Sequence, residues 1–249
     1  MELGSIYESG VRTAWRSMMR VAEHRIGNTG ELGRPLERLA TDASPVLLVH
    51  GYGNSSASMR AIEKSLQRDG FRAFSLTLPE HGFGDAMSDA AVVGATIDEI
   101  RAATGAANVD IVGHSRGGLV ARAWQQLLDE HGATGRVVTV SSANQGIELG
   151  AVDGIVGRAL PDGMQQIRAG ARLIDDLHAT RGAYDVVAVG TNGIDGVLVP
   201  AAASKIEGAP FIAIDNGRTI GPMSRVGHYG ILRDDTAYEA IRGALLAGQ

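Results

Sequence analysis

The chain reads as an α/β protein, with a mostly parallel central sheet and helices on both of its faces. Three observations predict this. From Pro45 onward, short apolar runs alternate with segments of helical periodicity. The first of those runs, Val46–His50 (VLLVH), is apolar or β-branched almost throughout, as in strands buried on both faces rather than one. At residues 113–117 a G-x-S-x-G turn joins a β-branched run directly to a helix-compatible segment.

The elements follow in order. Residues 11–26 place Val11, Trp15, Met18, Ala22 and Ile26 on one helical face, with Arg12, Arg16 and Arg20 on another. Such a basic amphipathic helix can lie on a membrane surface, as a peripheral contact, or dock on the body of the fold or a second subunit. Residues 27–44 are a polar connector, so the chain divides into an N-terminal helix and connector (1–44) and a main domain (45–249). After the first strand, a glycine-rich turn leads to a helix with Met59, Ile62 and Leu66 on one face, closed by Gly70. Phe71–Leu78 forms the second strand, 88–104 a helix, 108–112 the strand before the turn and 116–130 the helix after it. Arg136–Val140, Asp185–Gly190 and Pro210–Asp215 supply three further strands, and 235–247 the last helix.

One interval breaks the rhythm. Residues 145–183 exceed a simple crossover and contain helical pieces such as Met164–Leu177. An insertion at this point projects above the carboxyl ends of a parallel sheet, where ligands bind, and reads as a cap or lid. Its competing reading is an ordinary long crossover helix. As a cap, it would line a substrate pocket with Ile155, Leu160, Met164 and Ile167.

Composition narrows the function classes. The 249 residues suffice for one substantial core, and 44% hydrophobic with 20% charged residues describes an ordinary globule. A formal net charge of −5 offers no footprint for nucleic acid. The absence of cysteine excludes disulfides and thiolate metal sites. No apolar run is long enough to span a bilayer, and residues 1–30 lack the continuous apolar core of a signal peptide. A cytoplasmic location is therefore expected, export requiring a leader outside this sequence.

The G-x-S-x-G turn puts Ser115 on a sharp elbow between strand and helix. Side chains at Gly113 and Gly117 would collide as the two pack, and the apical serine takes a positive φ. A serine hydroxyl needs a base to accept its proton and an acid to orient that base. In such a fold the chain order is nucleophile, acid, histidine. His131, His178 and His228 follow Ser115. His131 ends the helix after the elbow, and His178 falls in the insertion. His228 sits in a glycine-bracketed loop after the last strand, from which it can reach the carboxyl edge of the sheet, and is the expected base. Asp195, just past the penultimate strand, is the expected acid. Asp215 is its rival, since it ends the last strand and neighbours the His228 loop, and its competing reading is an Asx-turn cap at Asp215-Asn216-Gly217. An oxyanion hole needs preorganised N–H donors. The backbone amides of Arg116, after the nucleophile, and Tyr52, in the His50–Asn54 loop, fit that role. His50 and His114 read as buttresses of these loops.

Together, PVLLVHGYG (45–53), Leu78-Pro79-Glu80-His81-Gly82, VDIVGHSRGGLVAR (109–122), the Asp195 loop and the Gly227-His228 loop resemble the α/β-hydrolase family, within it the bacterial lipases and esterases. The resemblance spans roughly 45–247. Similar lipases often carry T-P-H-x-G after the strand following the nucleophile, where this chain has Ser142-Ala143-Asn144-Gln145-Gly146. Some also hold a structural calcium near the histidine loop, but no matching carboxylate cluster is apparent, and neither metal nor cofactor is expected. The resemblance implies a carboxylic-ester hydrolase with a small-molecule ester or lipid substrate. Two other readings stay open: another triad chemistry (amidase, acyltransferase or perhydrolase), and a non-enzymatic binding module.

Overall fold

A computed structural model of the chain describes residues 43–147, 161–180, 184–193, 195–198, 200–215 and 227–247. The amphipathic helix expected at 11–26 lies outside them. Among the described residues six strands form one sheet: β1 (Val46–Val49), β2 (Ala73–Leu76), β3 (Val109–His114), β4 (Thr134–Val140), β5 (Val186–Thr191) and β6 (Phe211–Ile214). Every pairing is parallel and the order is β2-β1-β3-β4-β5-β6. Consecutive strands thus run outward from β1 to one edge and, after a return across β1, to the other. The carboxyl ends of β1, β3 and β5 consequently meet along one side of the sheet.

Strand alternation divides the core. Leu47, Val49, Ile111 and Val137 face a layer that includes α2 (Ala86–Thr104), α3 (Arg116–Ala123) and α5 (Arg172–Ala179). Val46, Leu48, Val112, Val138 and Val140 face α1 (Ser56–Arg68) and α6 (Asp235–Leu246). Both faces of the central strands are therefore covered, which is why β1 (VLLV) and the VVAV run of β5 carry apolar residues at every position instead of every second one. Met59, Ile62 and Leu66 form the buried stripe of α1, as their spacing predicts.

Local chemistry sets the helix ends. Asp85 caps α2 by accepting from the Ser88 amide at 2.7 Å, and Gly105 closes that helix in the left-handed region at φ 69°. Asp234 caps α6 through the Ala237 amide at 3.0 Å. The helix expected over 116–130 is shorter: α3 ends at Ala123 and widens into a π turn over Trp124–Leu128. There Trp124 Nε1 donates to Thr134 Oγ1 and Gln125 Nε2 to the Gly135 carbonyl, so side-chain bonds to β4 accompany the change of pitch.

Residues 161–180, the longer described part of the 145–183 interval, return to the body. The short helix α4 (Asp162–Gln165) donates from Gly163 N to the Phe83 carbonyl at 3.2 Å. Gln166 Oε1 accepts the Ala86 amide at 2.7 Å, and its Nε2 donates to Asp85. Leu173, Ile174 and Leu177 of α5 are buried in the core, and Arg122 of α3 donates to the Leu177 carbonyl at 3.2 Å. α5 is thus the crossover helix between β4 and β5 rather than an overhanging element. Residues 148–160 lie outside the described residues. No described helix is long and apolar enough to cross a membrane.

Candidate active site

The site grows out of the elbow. β3 ends at His114, and Ser115 turns the chain at φ 55° and ψ −127°, a left-handed conformation that a non-glycine residue adopts only under constraint. The constraint comes from its neighbours. Ser115 N donates to the Val140 carbonyl of β4 at 2.9 Å, and Gly118 N returns to the Ser115 carbonyl at 3.1 Å. A Cβ on Gly117 would lie 2.4 Å from the carbonyl oxygens of Val49 and His50, and one on Gly113 2.6 Å from the Gly117 carbonyl oxygen. The expected collisions are real: only glycine at these two positions lets α3 pack this close to β1 and β3.

Ser115 Oγ lies 3.0 Å from His228 Nε2, and His228 Nδ1 lies 2.8 Å from Asp195 Oδ1. The carboxylate defines the tautomer. With Nδ1–H donating to Asp195, Nε2 carries a lone pair facing the serine hydroxyl. Asp195 and His228 are buried, and Ser115 is partly accessible. Asp195 Oδ1 also accepts the amides of Val197 at 3.1 Å and Leu198 at 2.8 Å. Burial alone raises the Asp195 carboxyl, but the bond to His228, its charge and the two amides outweigh burial and hold it below the ordinary value. Asp215, the rival acid, follows β6 in an exposed position; the carboxylate that reaches His228 Nδ1 is that of Asp195. His131 is exposed, and His178 Nε2 bonds to the Asn144 carbonyl oxygen at 3.0 Å, leaving both outside this arrangement.

The two expected oxyanion donors flank the serine. A Cβ on Gly51 would meet Ser115 Cβ at 2.7 Å, so only glycine lets the Tyr52 loop come this close. Arg116 is the first residue of α3, where a helix leaves its amides unpaired and the dipole is positive. Among the described residues neither the Tyr52 nor the Arg116 amide donates to a backbone carbonyl.

His50 and His114 buttress the site as expected. His50 Nδ1–H donates to the Gly51 carbonyl at 2.7 Å while Nε2 accepts the Leu78 amide at 2.9 Å. Burial brings its imidazole down to about 4, so it stays neutral. His114 Nε2–H donates to the His228 carbonyl at 2.8 Å. Burial holds this ring down to about 3, and its Nδ1 has no partner. An unpaired buried acceptor of this kind costs about 1–3 kcal/mol.

Some of the surroundings went unread in the sequence. The Arg116 guanidinium is buried against Asp89 Oδ2 at 2.6 Å and donates to the Gly84 carbonyl at 2.6 Å. It ties α2 to the loop that follows the turn Pro79–Gly82, a turn in which Glu80 and His81 take positive φ. An Arg beside the nucleophile and an Asp near the start of α2 carry no spacing rule that joins them. Asn144, in the stretch that departs from T-P-H-x-G, is a second buried hub. It accepts from Arg122 Nη1 and donates to Thr139 Oγ1 and the Ser204 carbonyl.

Of the pocket residues, Ile167 is buried in the core and Met164 packs half-buried against it, while Ile155 and Leu160 lie outside the described residues. Among the described residues, apolar surface beside the site is offered by Tyr52 and Phe83. Tyr52 and Phe83 meet edge to face with centroids 4.7 Å apart, and Phe83 is 43% exposed. Among the described residues no group of three or more His, Cys, Asp or Glu side chains could hold a metal ion.

The alpha/beta hydrolase fold family matches residues 44–178, more than half of the chain, and the chain belongs to that family. Among solved structures, the mature lipase of Bacillus licheniformis superposes with a TM-score of 0.68 at 16% identity, covering 86% of this chain and 96% of that one. Lipase B of Aspergillus fumigatus gives 0.64 at 14% identity, over 86% of this chain and 55% of that chain. A carboxylesterase structure from the ammonia-oxidizing thaumarchaeon Nitrososphaera gargenis gives 0.58 at 13%, over 83% and 91%. At these identities the likeness is one of fold. No curated protein matches the chain.

Proposed function

We propose that the protein is a serine carboxylic-ester hydrolase acting on apolar acyl esters through a Ser115-His228-Asp195 triad. The reading rests on one observation above the others: the hydrogen-bonded line from Ser115 Oγ through His228 to Asp195, at 3.0 and 2.8 Å. In this mechanism His228 Nε2 takes the Ser115 proton as Oγ attacks the ester carbonyl carbon. The amides of Tyr52 and Arg116 hold the resulting oxyanion. The tetrahedral intermediate collapses with expulsion of the alkoxide, which leaves as the alcohol after His228 returns the proton. Water, activated by the same base, then releases the acid from the acyl-enzyme. Asp195 stabilises the imidazolium formed in each half.

The class of relatives by fold, lipases and carboxylesterases, supports an ester, and the exposed Phe83 beside Tyr52 supports an apolar one. Each methylene accommodated against such a surface contributes up to about 0.8 kcal/mol. The test is hydrolysis of a p-nitrophenyl ester series from acetate to palmitate beside matched anilides. Efficiency is expected to rise from acetate toward butyrate to octanoate and then level, with anilides poor. A profile falling from acetate, or a preference for anilides, overturns the ester reading and points to amide or acyl-transfer chemistry.

A further inference from the structure

His228 is held at more points than its triad contacts require. Its main-chain N–H donates to the Asp195 carbonyl at 2.8 Å, and its Nδ1–H to the Asp195 side chain at 2.8 Å. Its main-chain carbonyl accepts from His114 Nε2–H at 2.8 Å. The donor is the residue immediately before Ser115, so a single peptide unit joins the nucleophile to the group that pins the base. The two imidazoles pack with centroids 4.8 Å apart, and Tyr229 closes the cluster 5.0 Å from His228 and 5.9 Å from His114.

We infer that His114 is a positioning residue for the reaction: through its bond to the His228 carbonyl it sets the distance between His228 Nε2 and Ser115 Oγ. The inference rests on the proposed triad and adds to it a residue outside it.

Two further features support this. The first is the unpartnered Nδ1 of His114, buried in a ring that packs against other rings. An apolar ring of similar size would fill the space without an orphaned acceptor, but it would also leave the His228 carbonyl without its donor. What the histidine adds is the Nε2–H. The second is its neutrality. Burial keeps the imidazole uncharged near pH 7, so it sets no positive charge beside His228 when that ring takes the serine proton. A lysine or arginine donor at this position would oppose that step.

Three forms of the full chain test the idea: wild type, His114→Phe, which keeps a planar ring and loses the donor, and His114→Gln, whose amide N–H can reach the same carbonyl. The primary readout is the second-order rate of covalent labelling of Ser115 by a fluorophosphonate; kcat and KM for a p-nitrophenyl ester and the thermal midpoint accompany it. A displacement of about an ångström at the reacting groups reaches up to about 100-fold in rate. His114→Phe is therefore expected to lose about 10- to 100-fold in labelling rate and in kcat together, with KM within about two-fold. His114→Gln is expected to recover to within about three-fold of wild type.

Labelling of His114→Phe at the wild-type rate overturns the inference and leaves the triad standing. So does a loss that appears in KM alone, or a folded His114→Gln no better than His114→Phe. Should His114→Phe fail to fold, the Gln variant decides by itself: a folded protein labelled about 10-fold or more slowly contradicts the role assigned to the donor. Absence of labelling at Ser115 in the wild type overturns the triad, and this inference with it.

Discussion

At Ser115 the backbone and the side chain answer to the same demand. A φ of 55° on a serine is unfavourable, and it lifts Oγ clear of the strand toward His228 Nε2. The glycines at 113 and 117 admit the helix, and Gly51 admits the loop that brings the Tyr52 amide alongside. The proposed acid is set by the same kind of local accounting. Asp195 Oδ1 receives two main-chain amides besides His228 Nδ1, so its orientation is fixed before any substrate arrives. Asp195→Asn replaces one carboxylate oxygen with an amide that cannot both hold the Nδ1–H tautomer and neutralise the imidazolium. It is expected to lower kcat by about 10⁴-fold, against less than about two-fold for Asp215→Asn. Steady-state kinetics on both variants checks this, and the reverse order moves the acid to Asp215. These residues were legible in the sequence because each sits at a strand end in a fixed chain order. The preference for Asp195 over Asp215 rests in the sequence on strand order alone, since both follow strands and only the loop geometry decides which carboxylate turns inward.

The elements were legible to the extent that their burial is one-dimensional. VLLVH, VDIVG and the stripe of α1 announce a strand or helix from neighbouring residues alone. The 145–183 interval was harder, because amphipathic spacing shows that a face is buried but not against what. α5 buries Leu173, Ile174 and Leu177 in the sheet layer, the competing crossover reading, and Ile167 joins them in the core. The Arg116–Asp89 pair was invisible for a related reason: it joins the start of α3 to α2 across 27 residues, with both side chains buried. Burial raises the Asp89 carboxyl more than the Arg116 charge lowers it. The pair is nevertheless hard to break, because Asn at position 89 leaves a guanidinium buried without its counter-ion. Asp89→Asn is expected to lower stability by about 3 kcal/mol, read as a shift in the denaturant midpoint at unchanged slope. A change below about 0.5 kcal/mol shows that the Gly84 carbonyl alone satisfies the arginine.

For the molecule as a whole, neutral buried histidines make stability depend on pH. Burial lowers His50 to about 4 and His114 to about 3, whereas unfolded histidine titrates near 6.5. Below about pH 6.5 the unfolded chain therefore binds protons that the folded chain does not, and stability falls on acidification. Asp110 acts in the opposite sense. Burial raises it to about 6, so its contribution is lost as pH rises and regained as pH falls. Two histidines against one aspartate leave a net loss of about 2 kcal/mol from pH 7 to pH 5. Urea titrations at the two values check it, and equal stabilities contradict the assignment of both histidines as neutral and buried. The same buried histidines frame the site, one behind each loop, so acid loosens the whole arrangement.

The proposed mechanism makes Ser115 a nucleophile activated by His228. Intact-mass and peptide mapping after treatment with a fluorophosphonate tests it most directly, with Ser115→Ala and the wild type side by side. One phosphonyl adduct per wild-type chain, on Ser115, with none on the Ala variant and parallel loss of ester hydrolysis, is the predicted result. An adduct on another serine, or esterase activity surviving in Ser115→Ala, contradicts it.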